Sequence, residues 1–228
     1  MILGINVAVA PYSFGLVSNH DIVAEWTFQP SYTITENLIN EILVFLEKSG
    51  VKPSDLSAVG ITKGPGPYTS LRIGISVVKT LTQIFSVPLF AFSTLESFLY
   101  DYSCFDGLYF SVIPARKEEY NCAVFVLYKN TLQRLTPDFI WTTDLMKKKL
   151  NQMKGVCVLL GRFPKSMEAS FQDHPFVRVL PAHLKGCSIA RFTSTEQEKN
   201  TKGHPFHSIV PTYAHEPTLF IKTKTRST

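Results

Sequence analysis

The chain has 228 residues, 45% hydrophobic and only 18% charged, enough length and apolar content to bury a core in one or two domains, which argues against disorder and against a disulfide- or metal-stapled scaffold. Its 23 basic against 18 acidic side chains give a net charge of +5, clustered only at Lys147, Lys148 and Lys149 and at Lys222, Lys224 and Arg226 without interleaved aromatic residues, so solvated surface is favoured over a nucleic-acid footprint. No run approaches the roughly 18 apolar residues of a spanning helix, and the apolar opening Ile2 to Ala10 lacks a basic leader and contains Asn6, so neither a membrane span nor an export signal is expected and the setting is cytoplasmic.

In chain order, Ile2 to Val9, Ser13 to Ser18 and Asp21 to Phe28 read as a three-stranded meander, with a turn signal at Ser18 to Asp21. Thr33 and Glu36 fit a capping box for a helix running through Leu46 and ended by Gly50. A buried strand, Ala58 to Thr62, leads through Gly64-Pro65-Gly66-Pro67 into a second helix, Thr69 to Phe85, with Thr69 as its N-cap; Val87 to Ala91 is a further strand. Three antiparallel strands feeding a βαβ unit are the repeating half of ribonuclease-H-like folds. A second, shorter half follows: strands at 108–113, 120–128, 132–136 and 156–160, a helix at 143–153 and weaker helices around Lys165 and Leu184. The expectation is an α/β chain with two βββαβα-like lobes and mixed sheets, residues 1–103 and 104–216, then a basic tail, 217–228.

Few residues invite chemistry. The turn residues Gly64, Pro65, Gly66, Thr69, Arg72 and Gly74 sit where a phosphate loop could lie, but Pro65 and Pro67 delete backbone donors and no Gly-Lys-Ser/Thr is present. Asn6 occupies the end of the first strand, where nucleotide-binding members of such folds carry an acid; it is read as structural. His204 and His207 flank Pro205-Phe206 and suit a loop rather than a zinc helix. Cys104, Cys122, Cys157 and Cys187 form no C-x-x-C pair and read as reduced core residues. The cluster Arg116 to Glu119 reads as an exposed hairpin rim. No catalytic, cofactor-binding or metal residue is assigned.

The unusual feature is apolar breadth. On a helical wheel Leu71, Ile73, Ile75, Val77, Val78, Leu81, Ile84 and Phe85 span about 200°, twice the stripe needed to pack on one sheet. Ile34, Leu38, Ile39, Ile42, Leu43, Phe45 and Leu46 span about half a turn. Two readings stand: an interface with another chain, or two helices covering each other in one subunit.

Ile2-Leu3-Gly4-Ile5-Asn6-Val7-Ala8, the Gly-Pro-Gly turn with Leu71-Arg72-Ile73-Gly74, Phe92-Ser93-Thr94-Leu95-Glu96, Ala115-Arg116-Lys117-x-Glu119 and Pro211-Thr212-Tyr213 together resemble the TsaB family, also called YeaZ. The departures are Pro67, Tyr68 and Ser70 in the turn, Asn6 and Pro114 where Asp is usual, and Ala214-His215 where Leu-Arg is usual. The resemblance implies the actin, sugar kinase and Hsp70 fold and a non-catalytic scaffold role in making threonylcarbamoyladenosine in transfer RNA. The partners it implies are the catalytic paralogue TsaD and the ATPase TsaE, with tRNA reached through the complex, ATP used by the complex rather than this chain, and a homodimer when TsaD is absent. The main partner surface is then expected on helices 33–49 and 69–86, through Leu38, Ile42, Phe45, Leu71, Ile75, Val78, Leu81 and Phe85. The alternative is a small ATP-dependent kinase or acyltransferase of the same fold.

Overall fold

The computed structural model describes residues 1–29, 37–102, 105–129 and 131–213. The sequence-predicted capping box at Thr33 to Glu36, Cys104 and the tail 217–228 lie outside the described residues. Strands β1 (Ile2–Asn6), β2 (Tyr12–Ser18) and β3 (Asp21–Phe28) form the expected antiparallel meander, and β4 (Ala58–Gly64) and β5 (Leu89–Ser93) add in parallel to give the order β3-β2-β1-β4-β5. Helices α1 (Leu38–Lys48) and α2 (Tyr68–Phe85) lie between these strands in the chain. Two short helices, α3 (Thr94–Ser97) and α4 (Leu99–Tyr102), then lead away from β5.

The second half repeats the plan. Strands β6 (Gly107–Pro114), β7 (Glu119–Tyr128) and β8 (Thr131–Arg134) form a meander, and β9 (Phe139–Thr142) pairs with the start of β7. Helix α5 (Thr143–Leu150), β10 (Cys157–Gly161), α6 (Lys165–Ala169) and β11 (Val177–Pro181) follow, giving the order β11-β10-β6-β7-β8. The architecture is therefore the duplicated α/β fold with mixed sheets that the element order predicts. The four-residue β9 and the edge strand β11 were not anticipated, because neither has enough alternation to stand out from its loop.

Side-chain alternation on each strand sorts the core into layers. On β1, Leu3 and Ile5 point outward to α1 and α2, whereas Ile2 joins Phe90, Phe92, Leu95 and Phe98 in a middle core with Tyr109, Phe125 and Leu160 of the second sheet. Met146, Leu150 and Met167, from α5 and α6, close the far side of the second sheet with Phe110 and Leu159.

The last helix, α7 (Gly186–Lys199), is the largest departure from the sequence reading. Expected as a weak helix near Leu184 running into polar chain, it has 14 residues and crosses the inner face of the first sheet. Gly15, Gly4 and Gly60 stand in register on β2, β1 and β4 and form a flat row beneath it. A Cβ on Gly4 would run into the Gly186 carbonyl oxygen and the Ala190 nitrogen, and one on Gly60 into the Thr193 hydroxyl. Backbone-to-backbone approach, rather than large side chains, seats this helix.

Candidate functional site

The two outer helices carry the expected apolar surplus, but its parts lie the other way round. Leu71 is buried beside Gly64, while Leu38, Ile42, Phe45, Ile75, Val78 and Leu81 are all buried in the chain's own outer core, and Phe85 is half-buried against it. They pack on Leu3, Ile5, Val59 and Ile61 of the sheet, so these side chains are no docking surface. What remains exposed is Ile84 on α2 and Ile39 and Leu43 on α1, with Ile73 and Val77 packed at the edge of the same core. On α2, Ile73, Val77, Thr80 and Ile84 recur at intervals of four, three and four, which places them along one line; Ile84 is 69% exposed and Ile73 and Val77 are half-buried. On α1, Ile39 and Leu43 are 42% and 39% exposed one turn apart. The wide arc therefore divides: each helix covers the sheet with one half, and Ile39, Leu43 and Ile84 are left exposed among the described residues.

The Gly-Pro-Gly turn is a joint. Gly64 has φ +119°, a region that favours glycine, and a Cβ there would strike the Thr212 carbonyl oxygen, while one on Gly66 would strike that of Ala8. Thr212 N–H donates to the Lys63 carbonyl at 2.8 Å. The Tyr213 ring lies 4.8 Å from that of Tyr68, over whose other contacts the Arg72 guanidinium sits 5.1 Å from the ring centre and donates to the hydroxyl. Tyr12 and Ser70 share a hydrogen bond of 2.6 Å, and Gly74 leaves room for Val7. The turn therefore clamps the β1–β2 loop, the start of α2 and segment 211–213 together. Carbonyl oxygens facing its glycines repel an anion. Thr69 is not the N-cap: α2 begins at Tyr68 after Pro67, with no side-chain cap, and Thr69 lies exposed in the first turn.

Asn6 is fully buried and its amide is saturated. Nδ2 donates to the carbonyls of Val9 (2.8 Å), Pro11 (3.0 Å) and Leu184 (3.2 Å), and Oδ1 accepts from the N–H groups of Ala8 (3.1 Å) and Val9 (3.3 Å). These bonds turn the chain at the end of β1, which therefore stops at Asn6 rather than Val9, and tie it to the segment entering α7. A carboxylate here would face three carbonyl oxygens without a donor to give them.

Arg116 to Glu118 form the exposed tip between β6 and β7, where Ala115 N–H donates to the Glu119 carbonyl at 2.9 Å. His204 is pinned to β5: its ring Nδ1 accepts from Ala91 N–H at 3.0 Å and its backbone N–H donates to the Leu89 carbonyl at 2.8 Å, while His207 is exposed. Burial, then the nearby Lys63 charge, pulls the His204 ring below its ordinary value of 6.5. Burial pushes the Cys122 and Cys187 thiols up to about 12 and Cys157 to about 11, so none is poised as a thiolate. Among the described residues no cluster of three or more His, Cys, Asp or Glu could hold a metal ion, and no helix is long and apolar enough to cross a membrane.

Comparison with known proteins places this geometry. Residues 31–178 match the family model described as TsaD, tRNA N6-adenosine threonylcarbamoyltransferase. The chain is 27% identical over 217 residues to the tRNA threonylcarbamoyladenosine biosynthesis protein TsaB of Bacillus subtilis, covering 93% of each. In fold it is similar to YeaZ from Pseudomonas aeruginosa, with a TM-score of 0.67 at 16% identity, covering 93% of this chain and 98% of that one. A second Pseudomonas aeruginosa structure, described as similar to peptidase YEAZ, gives 0.71 at 16% identity, covering 94% and 99%.

Proposed function

Because the chain belongs to the TsaB/YeaZ family, we propose that it serves tRNA threonylcarbamoyladenosine biosynthesis as a non-catalytic scaffold, pairing through α1 and α2 with the catalytic paralogue TsaD. The observation that carries this reading is the set of exposed apolar side chains Ile39, Leu43 and Ile84, flanked by the half-buried Ile73 and Val77, on helices whose other faces fill the outer core. Burying such a stripe against a matching helix pair removes apolar surface from water on both sides, the main driving force of an obligate contact. TsaE and tRNA join through the assembled complex, and ATP is consumed there rather than on this chain. Without TsaD, the stripe pairs with its own copy about a two-fold axis. The saturated Asn6 amide and the carbonyl-lined turn support a structural rather than a nucleotide-handling role.

The test is the threonylcarbamoyladenosine content of tRNA, measured by mass spectrometry of nucleosides, in cells lacking the gene. Restoration by the intact chain and not by Ile84→Glu is the expected result. Unchanged content on deletion, or full restoration by a soluble Ile84→Glu chain, refutes the reading.

A further inference from the structure

At the edge of the first sheet, where the carboxyl ends of β4 and β5 approach β8 and the last turns of α7, the chain encloses a groove of about 620 Å³. Carboxyl ends of parallel strands and junctions between lobes are where α/β folds gather ligands, and the volume suits a small molecule. None of its residues belongs to the α1–α2 stripe.

One wall is aromatic. Tyr100 stacks on Phe192 at 3.8 Å between ring centres, and Phe192 on Phe92 at 4.0 Å. The polar groups fall into two sets. Arg134 is committed to Asp138 and to the Thr136 carbonyl, and Lys199 to Glu196. Glu96 and Lys63 are not committed: each is half-buried and neither side chain makes a hydrogen bond or ion pair with another described residue. Ser93 and Glu96 have the spacing of a capping box, yet α3 has no side-chain cap. His204 spends Nδ1 as an acceptor from Ala91 N–H, so its proton sits on Nε2. Burial raises the Glu96 carboxyl above its ordinary value even though Arg134 and Lys63 pull it back. The Glu96 carboxylate, which no donor among the described residues meets, is open to a cation, and the Lys63 ammonium and the His204 Nε2–H are open to an anion.

We propose that this groove binds a small zwitterion of the α-amino-acid class, its ammonium on Glu96, its carboxylate on Lys63 and the His204 Nε2–H, and its side chain along Tyr100. Opposite charges held apart on one ligand answer both unmet groups at once, and the aromatic wall excludes water from the side chain. A purely anionic ligand would leave Glu96 unmet and add repulsion beside it. A purely cationic one would face Lys63 in the same way.

The test is a chemical double-mutant cycle, read by ligand-observed NMR titration of the full chain. The probes are L-phenylalanine and L-threonine, with L-phenylalaninamide lacking the carboxylate and N-acetyl-L-phenylalanine lacking the ammonium. Charge-assisted hydrogen bonds are worth about tenfold or more in affinity. The free amino acid should therefore bind about tenfold more tightly than either derivative. Lys63→Gln should erase the preference for the acid over its amide, and Glu96→Gln the preference for the free over the acetylated amine. Glu96→Gln keeps size and shape, so this arm stands even if Lys63→Gln fails to fold. Absence of binding at millimolar concentration, or preferences unchanged in the two variants, overturns the proposal.

Discussion

Helices α2 and α7 both pack on the first sheet, one on each face, and they invert the usual relation between sequence and burial. Helix α2 is apolar most of the way round, yet it lies on the outside and keeps Ile84 69% exposed. Helix α7 reads Gly-Cys-Ser-Ile-Ala-Arg-Phe-Thr-Ser-Thr, polar and small, yet it sits between the sheets with Gly186, Cys187, Ser188, Ile189, Ala190, Phe192 and Thr193 all buried. The difference lies in what each helix meets. Helix α7 meets a row of glycines and close carbonyls, so small residues and back-bonded hydroxyls fit, as when Thr193 Oγ1 donates to the Ile189 carbonyl at 2.7 Å. Helix α2 meets a sheet on one side only, and Ile84 on its other side stays 69% exposed among the described residues.

This contrast can be broken most sharply where each helix touches the sheet. Gly4→Val should displace α7 from its seat, and Val78→Glu should place a charge in the outer core; each is expected to destabilise by about 4 kcal/mol or more. Loss of the cooperative melting transition and of soluble expression checks both. Val78→Glu accordingly reports folding and says nothing about partners.

Next in size is Asn6→Asp. The substitution leaves the Val9 and Pro11 carbonyls without a donor, the Leu184 carbonyl keeping only the Ser13 hydroxyl, and buries a charge among them, for an expected loss of about 3 kcal/mol or more, measured by urea unfolding. It should confer no heat of binding with ATP and magnesium in calorimetric titration, although it supplies the acid that nucleotide-binding folds of this kind carry. Clear binding by either form would restore the kinase or acyltransferase alternative.

Smaller still is Ile84→Glu. A surface substitution away from any buried contact should change stability by no more than about 0.5 kcal/mol, so its melting curve should overlie that of the intact chain. The same substitution at Ile189 of α7, which is fully buried, should abolish folding.

The smallest effect concerns the segment that follows α7. The His204 ring is held below its ordinary 6.5 by burial and by Lys63. A lowered folded value means that the unfolded chain takes up the proton first, so this stability is present above 6.5 and is lost as pH falls below it. Burial and Arg162 lower His183 in the same direction, whereas burial raises Glu25 and Glu96, which favours the folded state as pH falls. Only a difference measurement isolates His204: the melting midpoints of the intact chain and His204→Gln should converge as pH is lowered below 6.5.

The order of strands and helices through β5 was legible because strict alternation and a 3.6-residue period leave a clear record where each element meets one core. The two arcs on α1 and α2 were legible for the same reason, but a wheel measures breadth without saying which half faces the sheet. Gly74, beside Val7 and Ile61, marks the sheet side, and the Ile73-Val77-Thr80-Ile84 line marks the free side. The same spacing puts Ile75 and Val78 on the sheet side, where they are buried. Helix α7 was illegible for a deeper reason: its fit depends on Gly15, Gly4 and Gly60, which lie more than a hundred residues away and come into line only through strand register. Asn6 shows the middle case. Its residue type argued for structure, but the Leu184 carbonyl it holds could be found only in three dimensions.

The central claim is that the uncovered stripe on α1 and α2, and not the buried half of the same helices, binds TsaD. Its most direct test is the dissociation constant for purified TsaD of the intact chain and of the Ile84→Glu chain, with both melting curves recorded. A loss of about 100-fold or more in affinity at an unchanged melting midpoint is the predicted result. Equal affinity of the two chains, with the variant fully folded, would contradict it.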